Sequence, residues 1–179
     1  MRYRLLQSLV IGLLLVAPAG ATVLVPADLA ELARDATVIA RGEVVAVEGR
    51  WTDDRHAIET VVTLVADTFL KGHLTRTLQF RVPGGTLGRY RNIVMGAPQF
   101  REGQHVIVFL GAQGPRVPHI LGLNQGVYRV AAGATGPLVS PPPVMPGVVG
   151  PIVRGTSARR PAPLADFERE VRALAGAAR

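Results

Sequence analysis

The chain has 179 residues and a formal net charge of +7, with 48% hydrophobic residues, 5% aromatic residues and no cysteine. That length fits one domain with accessories, and the missing thiol excludes disulfides, thiolate nucleophiles and thiolate metal ligands. The basic residues are almost all arginine, Lys71 being the only lysine; Arg76, Arg81, Arg89, Arg91 and Arg101 are dispersed and aromatics are only 5% of the chain, so nucleic acid is not expected as a partner.

At the amino terminus, Arg2 and Arg4, the apolar run Leu9 to Ala17 and the small residues Ala19-Gly20-Ala21 make the three-part pattern of a secretory signal peptide. Residues 1–21 are read as a leader, and the expected location is periplasmic or secreted. The apolar run is too short to span a bilayer comfortably, and no later transmembrane segment is found. Cleavage would leave 158 residues carrying 18 basic and 13 acidic side chains, a net +5. Such a chain buries roughly 68–70% of its unfolded surface without staples.

After the short apolar arm Val23 to Val25, Leu29, Leu32, Ala33 and Ala36 recur at helical spacing, with Pro26 suited to a first turn. A short helix packed on a β-domain is expected. Thr37 to Gly72 then reads as two strands joined by a polar loop. In the first strand Val38, Ala40, Val44 and Ala46 share a face, and Gly42 interrupts that face, which predicts a bulge or bend and hence a coiled strand. The second, Ile58 to Leu70, is β-branched and long. It is one-sided at its ends and two-sided in its middle, as expected of a strand shared by two layers of a small barrel.

Thr77 to Val82 alternates as a third strand, and Pro83-Gly84 fits a type II turn. Gly84 to Arg91 lacks both the Gly-Lys-Ser/Thr ending of a P-loop and the spacing of a dinucleotide site, and is read as a connecting loop. Asn92 to Met95 is a candidate short strand. His105 to Leu110 is an apolar run expected to be buried on both sides. His119 to Leu123 and Val127 to Val130 flank Asn124-Gln125-Gly126, read as a hairpin turn. Residues 131–163 hold eight prolines and are read as an extended linker. In residues 164–179, Leu164, Phe167, Val171 and Leu174 share a helical face, with Asp166 and Glu168 near the positive end of the helix.

The fold class expected is mainly β: a small OB-like closed or partly open barrel over residues 22–130, with a short N-terminal helix and a C-terminal helix after the Pro-rich linker. Residues 35–44, Asp35-Ala36-Thr37-Val38-Ile39-Ala40-Arg41-Gly42-Glu43-Val44, the strand ending Thr68-Phe69-Leu70-Lys71-Gly72 and the run Gly103 to Leu110 resemble the netrin-like module of the tissue inhibitors of metalloproteinases, and a group of exported bacterial proteins of the same layout. The resemblance covers about Ala27 to Val130 and implies an OB-type five-stranded barrel. The inhibitors chelate the protease zinc through a disulfide-tethered amino-terminal cysteine, which this chain lacks, so the resemblance extends to the fold and not to inhibitory residues.

No catalytic, cofactor or metal site is expected. Beyond the leader the serines are Ser140 and Ser157, both in the proline-rich stretch, with no G-x-S-x-G elbow. His56, His73, His105 and His119 have no metal-ligand spacing, although Asp53, Asp54 and His56 could gather around a cation. The functional expectation is a non-enzymatic binding module for a protein partner, with a secreted peptidase as one candidate. Recognition is assigned to the loop residues Trp51, Arg89 and Tyr90, since exposed aromatics and arginines anchor such contacts. The alternative is an envelope-associated accessory protein tethered through its Pro-rich tail and terminal helix.

Overall fold

A computed structural model describes residues 27–112, 117–142 and 160–177. The predicted leader, the apolar arm, Pro26 and most of the Pro-rich stretch lie outside the described residues. In chain order the elements are α1 (Leu29–Asp35), β1 (Val38–Trp51), β2 (Ile58–Lys71), β3 (Thr77–Pro83), β4 (Gly85–Leu87), β5 (Tyr90–Asn92), β6 (His105–Gly111), β7 (His119–Ile120), a 3-10 turn (Leu123–Gly126), β8 (Val127–Gly133), β9 (Gly136–Ser140), β10 (Ala162–Pro163) and α2 (Leu164–Gly176).

Five strands close a barrel in the order β1-β2-β3-β7-β6-β1, antiparallel throughout except where β7 runs parallel to β3 at Arg81 and His119. This is the OB-like architecture expected from the sequence. Long strands that pair on both edges have to coil, and β1 does so at shifts of register beside Gly42 and between Val44 and Ala46. The reason for glycine is contact: a Cβ at position 42 would lie 2.1 Å from the Val65 carbonyl oxygen of β2.

The strand pleat divides the core in two. Inside the barrel, Val38, Ala40 and Val44 of β1 meet Val62, Leu64 and Ala66 of β2, Leu78, Phe80 and Val82 of β3, and Val106, Val108 and Leu110 of β6. Phe100 closes one side with its ring edge-on to Phe80, 5.4 Å between centroids. On the outer face Ile39, Leu70, Ile107 and Phe109 pack under Leu32 and Ala33 of α1 and Phe167 and Val171 of α2. The unbroken apolar run of β6 is thereby explained, since its alternate residues face two cores. The two-layer character of β2 has the same origin, Leu70 belonging to the outer cluster and Val62 to Ala66 to the inner one.

The single lysine caps a helix: Lys71 Nζ donates to the carbonyls of Ala33 and Arg34 at 2.8 Å each, where the negative end of α1 favours a cation. The C-terminal helix docks on the barrel, touching α1, β2, β9 and β10, and Arg41 of β1 reaches Glu168 at 3.0 Å beneath it.

Three readings are corrected. Asn124-Gln125-Gly126 is not a hairpin turn, because β7 and β8 do not pair with each other. Both lie antiparallel along the same edge of β6, β7 at Leu110 and Gly111 and β8 from His105 to Val108, with the 3-10 turn between them as an interruption. Residues within the proposed linker are ordered strand: β8 runs on to Gly133 and β9 pairs with it, Val139 being buried in the outer core. Pro137 sits next to the tight turn, where the backbone N–H it lacks is least needed. Finally, Gly84 to Arg91 is a connecting loop only in part, since β4 and β5 form a small hairpin with Gly88 at φ 57° in its turn.

Candidate functional site

One end of the barrel is built from the loop joining β1 to β2 and from the β4–β5 hairpin. The loop is closed by Thr52, whose backbone N–H donates to the Ala57 carbonyl at 2.9 Å and whose hydroxyl accepts the Ala57 N–H at 3.1 Å. Arg55 takes a positive φ of 58° at the tightest point. The Thr52 hydroxyl lies 2.5 Å from Asp54 Oδ1, to which it donates, and the His56 N–H donates to the same oxygen at 3.2 Å. These bonds, the hydroxyl's first, hold the Asp54 carboxyl below its ordinary value of 3.8.

The hairpin lies across the end of β1. A Cβ on Gly49 would meet the Thr86 carbonyl oxygen at 2.0 Å, so a residue without a side chain is what lets β4 approach β1. Thr60 Oγ1 donates to the Gly84 carbonyl at 2.7 Å and Asn92 Nδ2 to the Ile58 carbonyl at 3.1 Å, pinning both ends of the hairpin to β2.

That arrangement brings the three sequence-predicted residues together. The rings of Trp51, at the last position of β1, and Tyr90, at the first of β5, are 5.7 Å apart at a tilt of 57°. The Arg89 guanidinium sits 5.0 Å from the centre of the Tyr90 ring and donates to its hydroxyl at 2.9 Å. All of this is at the surface: Trp51 is 41% exposed and Tyr90 48%. Sequence reasoning missed two large exposed apolar side chains just past β5, Ile93 and Met95, which are 69% and 77% exposed. Large apolar side chains in a loop, after a strand too short to bury them, are the signal that could have found them. Arg89 and Arg91 have no acidic partner among the described residues, so the face is cationic as well as aromatic.

The possible cation group divides. His56 Nδ1 lies 3.4 Å from Asp54 Oδ2, but Asp53 turns to Arg81 at 3.3 Å. Among the described residues no three His, Asp or Glu side chains are grouped to hold a metal ion. His73 lies just past the opposite end of β2, edge-on to Phe69, and His105 opens β6, so neither reaches the loop. No protein-family model, no curated protein and no solved structure matches the chain.

Proposed function

We propose that this is an exported, non-enzymatic binding module that recognises a protein partner through the exposed face formed by Trp51, Tyr90 and Arg89. The observation that carries the reading is the convergence of Trp51 with Tyr90, 39 positions later in the chain, and its neighbour Arg89 into one solvent-facing aromatic–cation cluster, tilted ring on ring and guanidinium on ring. Two-torsion aromatics held by a neighbour lose little freedom on binding and bury a large area, and Trp, Tyr and Arg are the residues that dominate interface energetics. Arg89 and Arg91 favour a partner with carboxylates around an apolar hollow.

The OB-like strand order supports kinship in architecture with netrin-like modules, and a secreted peptidase is the partner class to test first. Inhibition would have to proceed without the cysteine-borne zinc chelation of those inhibitors. The alternative, an envelope accessory tethered through its tail, has less support, because the apolar face of α2 is already buried on the barrel.

The test is affinity capture from envelope and secreted fractions with the purified protein, its Trp51→Ala variant and its Tyr90→Ala variant as parallel baits. The expected result is a peptidase retained by the wild type, with roughly tenfold or greater loss of affinity in each variant, as for a hot spot. Equal retention by all three baits refutes the reading.

A further inference from the structure

The β4–β5 hairpin is a sheet of two strands, pinned to β2 at both ends. β4 approaches β1 where its Thr86 carbonyl meets Gly49, whereas no strand among the described residues runs along the outer edge of β5. The register fixes which backbone groups that edge presents. Leu87 and Tyr90 flank the two-residue turn Gly88-Arg89, so they exchange both of their backbone hydrogen bonds, as do Gly85 and Asn92. Arg91 faces Thr86 at the position between, where an antiparallel pair is left unbonded. The N–H and C=O of Arg91 therefore point away from β4, and no loop or turn backbone among the described residues bonds to them.

An unpaired strand edge is a template for another chain. Beside this one, Tyr90, Ile93 and Met95 are 48%, 69% and 77% exposed, three large apolar side chains within six residues, and a partner that covers them gains by their burial. The charge around the edge selects that partner. From Gly84 to Arg101 the chain holds Arg89, Arg91 and Arg101 and no acidic residue. Neither Arg89 nor Arg91 forms an ion pair among the described residues. Pairing β5 with the same strand of a second copy would set arginines against arginines on chains of net charge +7 each. A strand with carboxylates opposite Arg91 gains where a second copy loses.

We propose that the hairpin takes an acidic, extended segment of the partner protein as a third strand beside β5. The residue directly opposite Arg91 exchanges both backbone hydrogen bonds with it, and, because paired residues share a face, presents its carboxylate to the Arg91 guanidinium. Main-chain bonds supply affinity and the alternate side chains supply selectivity, as in other strand additions. This inference rests on the docking of a protein at the aromatic face and adds the backbone form and the charge of what docks.

The probes are synthetic decapeptides: alternating valine and glutamate, alternating valine and lysine, and the glutamate peptide N-methylated either at every glutamate or at every valine. Binding to the purified protein is followed by amide NMR. The glutamate peptide is expected to bind at millimolar concentration or below, with the largest shifts and slowed exchange at the Arg91 N–H, and roughly tenfold or more tightly than the lysine peptide. Methylation at glutamate blocks the edge that faces Arg91 and should cost at least a similar factor, while methylation at valine blocks the far edge and should cost little. In the protein, Arg91→Ala removes the charge, and Arg91→Pro removes the N–H as well, at an edge position where proline is tolerated. The proline variant should therefore bind roughly tenfold more weakly than the alanine one; the methylated peptides test the same bond on unaltered protein. Absence of glutamate-peptide binding, equal binding of the lysine peptide, or equal effects of the two methylations overturns the proposal. If it is overturned while Trp51→Ala and Tyr90→Ala still release a captured partner, the aromatic face stands and strand addition alone fails. If the peptides behave as expected while capture ignores both aromatics, the edge binds by itself and the aromatic reading fails.

Discussion

At the scale of single residues, the loop between β1 and β2 is held by one hydroxyl. Thr52 donates to Asp54 while accepting from Ala57, and its donation is the largest reason the Asp54 carboxyl titrates low. A depressed carboxyl pKa contributes stability that is present above the unfolded value and lost as pH falls through the folded one. The loop should therefore hold its shape at neutral pH and loosen in acid below 3.8. An NMR titration should place the Asp54 midpoint under that value in the wild type and nearer to it in Thr52→Val; a wild-type midpoint at or above 3.8 contradicts the hydrogen-bond account. Trp51 offers a second single-residue probe, being the only tryptophan of the chain. Removing its ring neighbour by Tyr90→Ala should shift its fluorescence emission to longer wavelength, toward that of a water-exposed indole. An unchanged spectrum means that the two rings do not touch in solution.

At the scale of elements, two glycines in β1 divide scaffold from site. Gly42 lies in the seam with β2, where an added methyl meets the Val65 carbonyl at 2.1 Å and the Ala66 Cα at 2.8 Å, both backbone atoms in the barrel wall. Gly49 meets only the Thr86 peptide of the hairpin, with its carbonyl oxygen at 2.0 Å. Gly42→Ala should thus cost about 3 kcal/mol of folding stability, at the upper end for overpacking. Gly49→Ala should cost about 1 kcal/mol, because the hairpin can lift, but it should separate Tyr90 from Trp51 and abolish partner binding. Denaturant midpoints and binding measured on the same two variants decide this, and comparable stability losses with binding intact would refute the division. The glycine of β1 was legible from the sequence because a break in a period of two is a local signal. So were β2, β3, β6 and both helices, whose faces repeat over enough residues to declare themselves. The β4–β5 hairpin was hidden because three-residue strands between glycines carry no period. Prolines masked β9, and a good local turn signal at Asn124-Gln125-Gly126 concealed that β7 and β8 share an edge of β6. Trp51, Arg89 and Tyr90 could be named as exposed anchors, but their meeting depends on the close approach at Gly49. Glu59 likewise meets Arg50 at 2.9 Å and Arg81 at 3.7 Å only through the pairing of β2 with β1 and β3, and neither meeting is written in any neighbouring residues.

At the scale of the whole molecule, the barrel carries its helices at one end of β1 and the aromatic face at the other. Phe167 and Val171 of α2 complete an outer core with Ile39, Phe109 and Tyr128, the Tyr128 and Phe167 rings lying 4.7 Å apart. A helix seated in this way belongs to the cooperative unit, so intact protein should melt in one transition seen alike by near-UV and far-UV dichroism. Phe167→Ala should remove about 3–5 kcal/mol, a large share of the roughly 5–15 kcal/mol typical of a domain. The partner affinity of the molecules that remain folded should nevertheless be unchanged, because the lost ring and the docking face share no contacts. A Phe167→Ala, Trp51→Ala double variant should then show the stability loss of the first and the binding loss of the second, additive within about 0.5 kcal/mol. Coupling larger than that would mean that the packing of the tail helix is transmitted along β1 to Trp51, making the tail a regulator of the binding face and not only its scaffold.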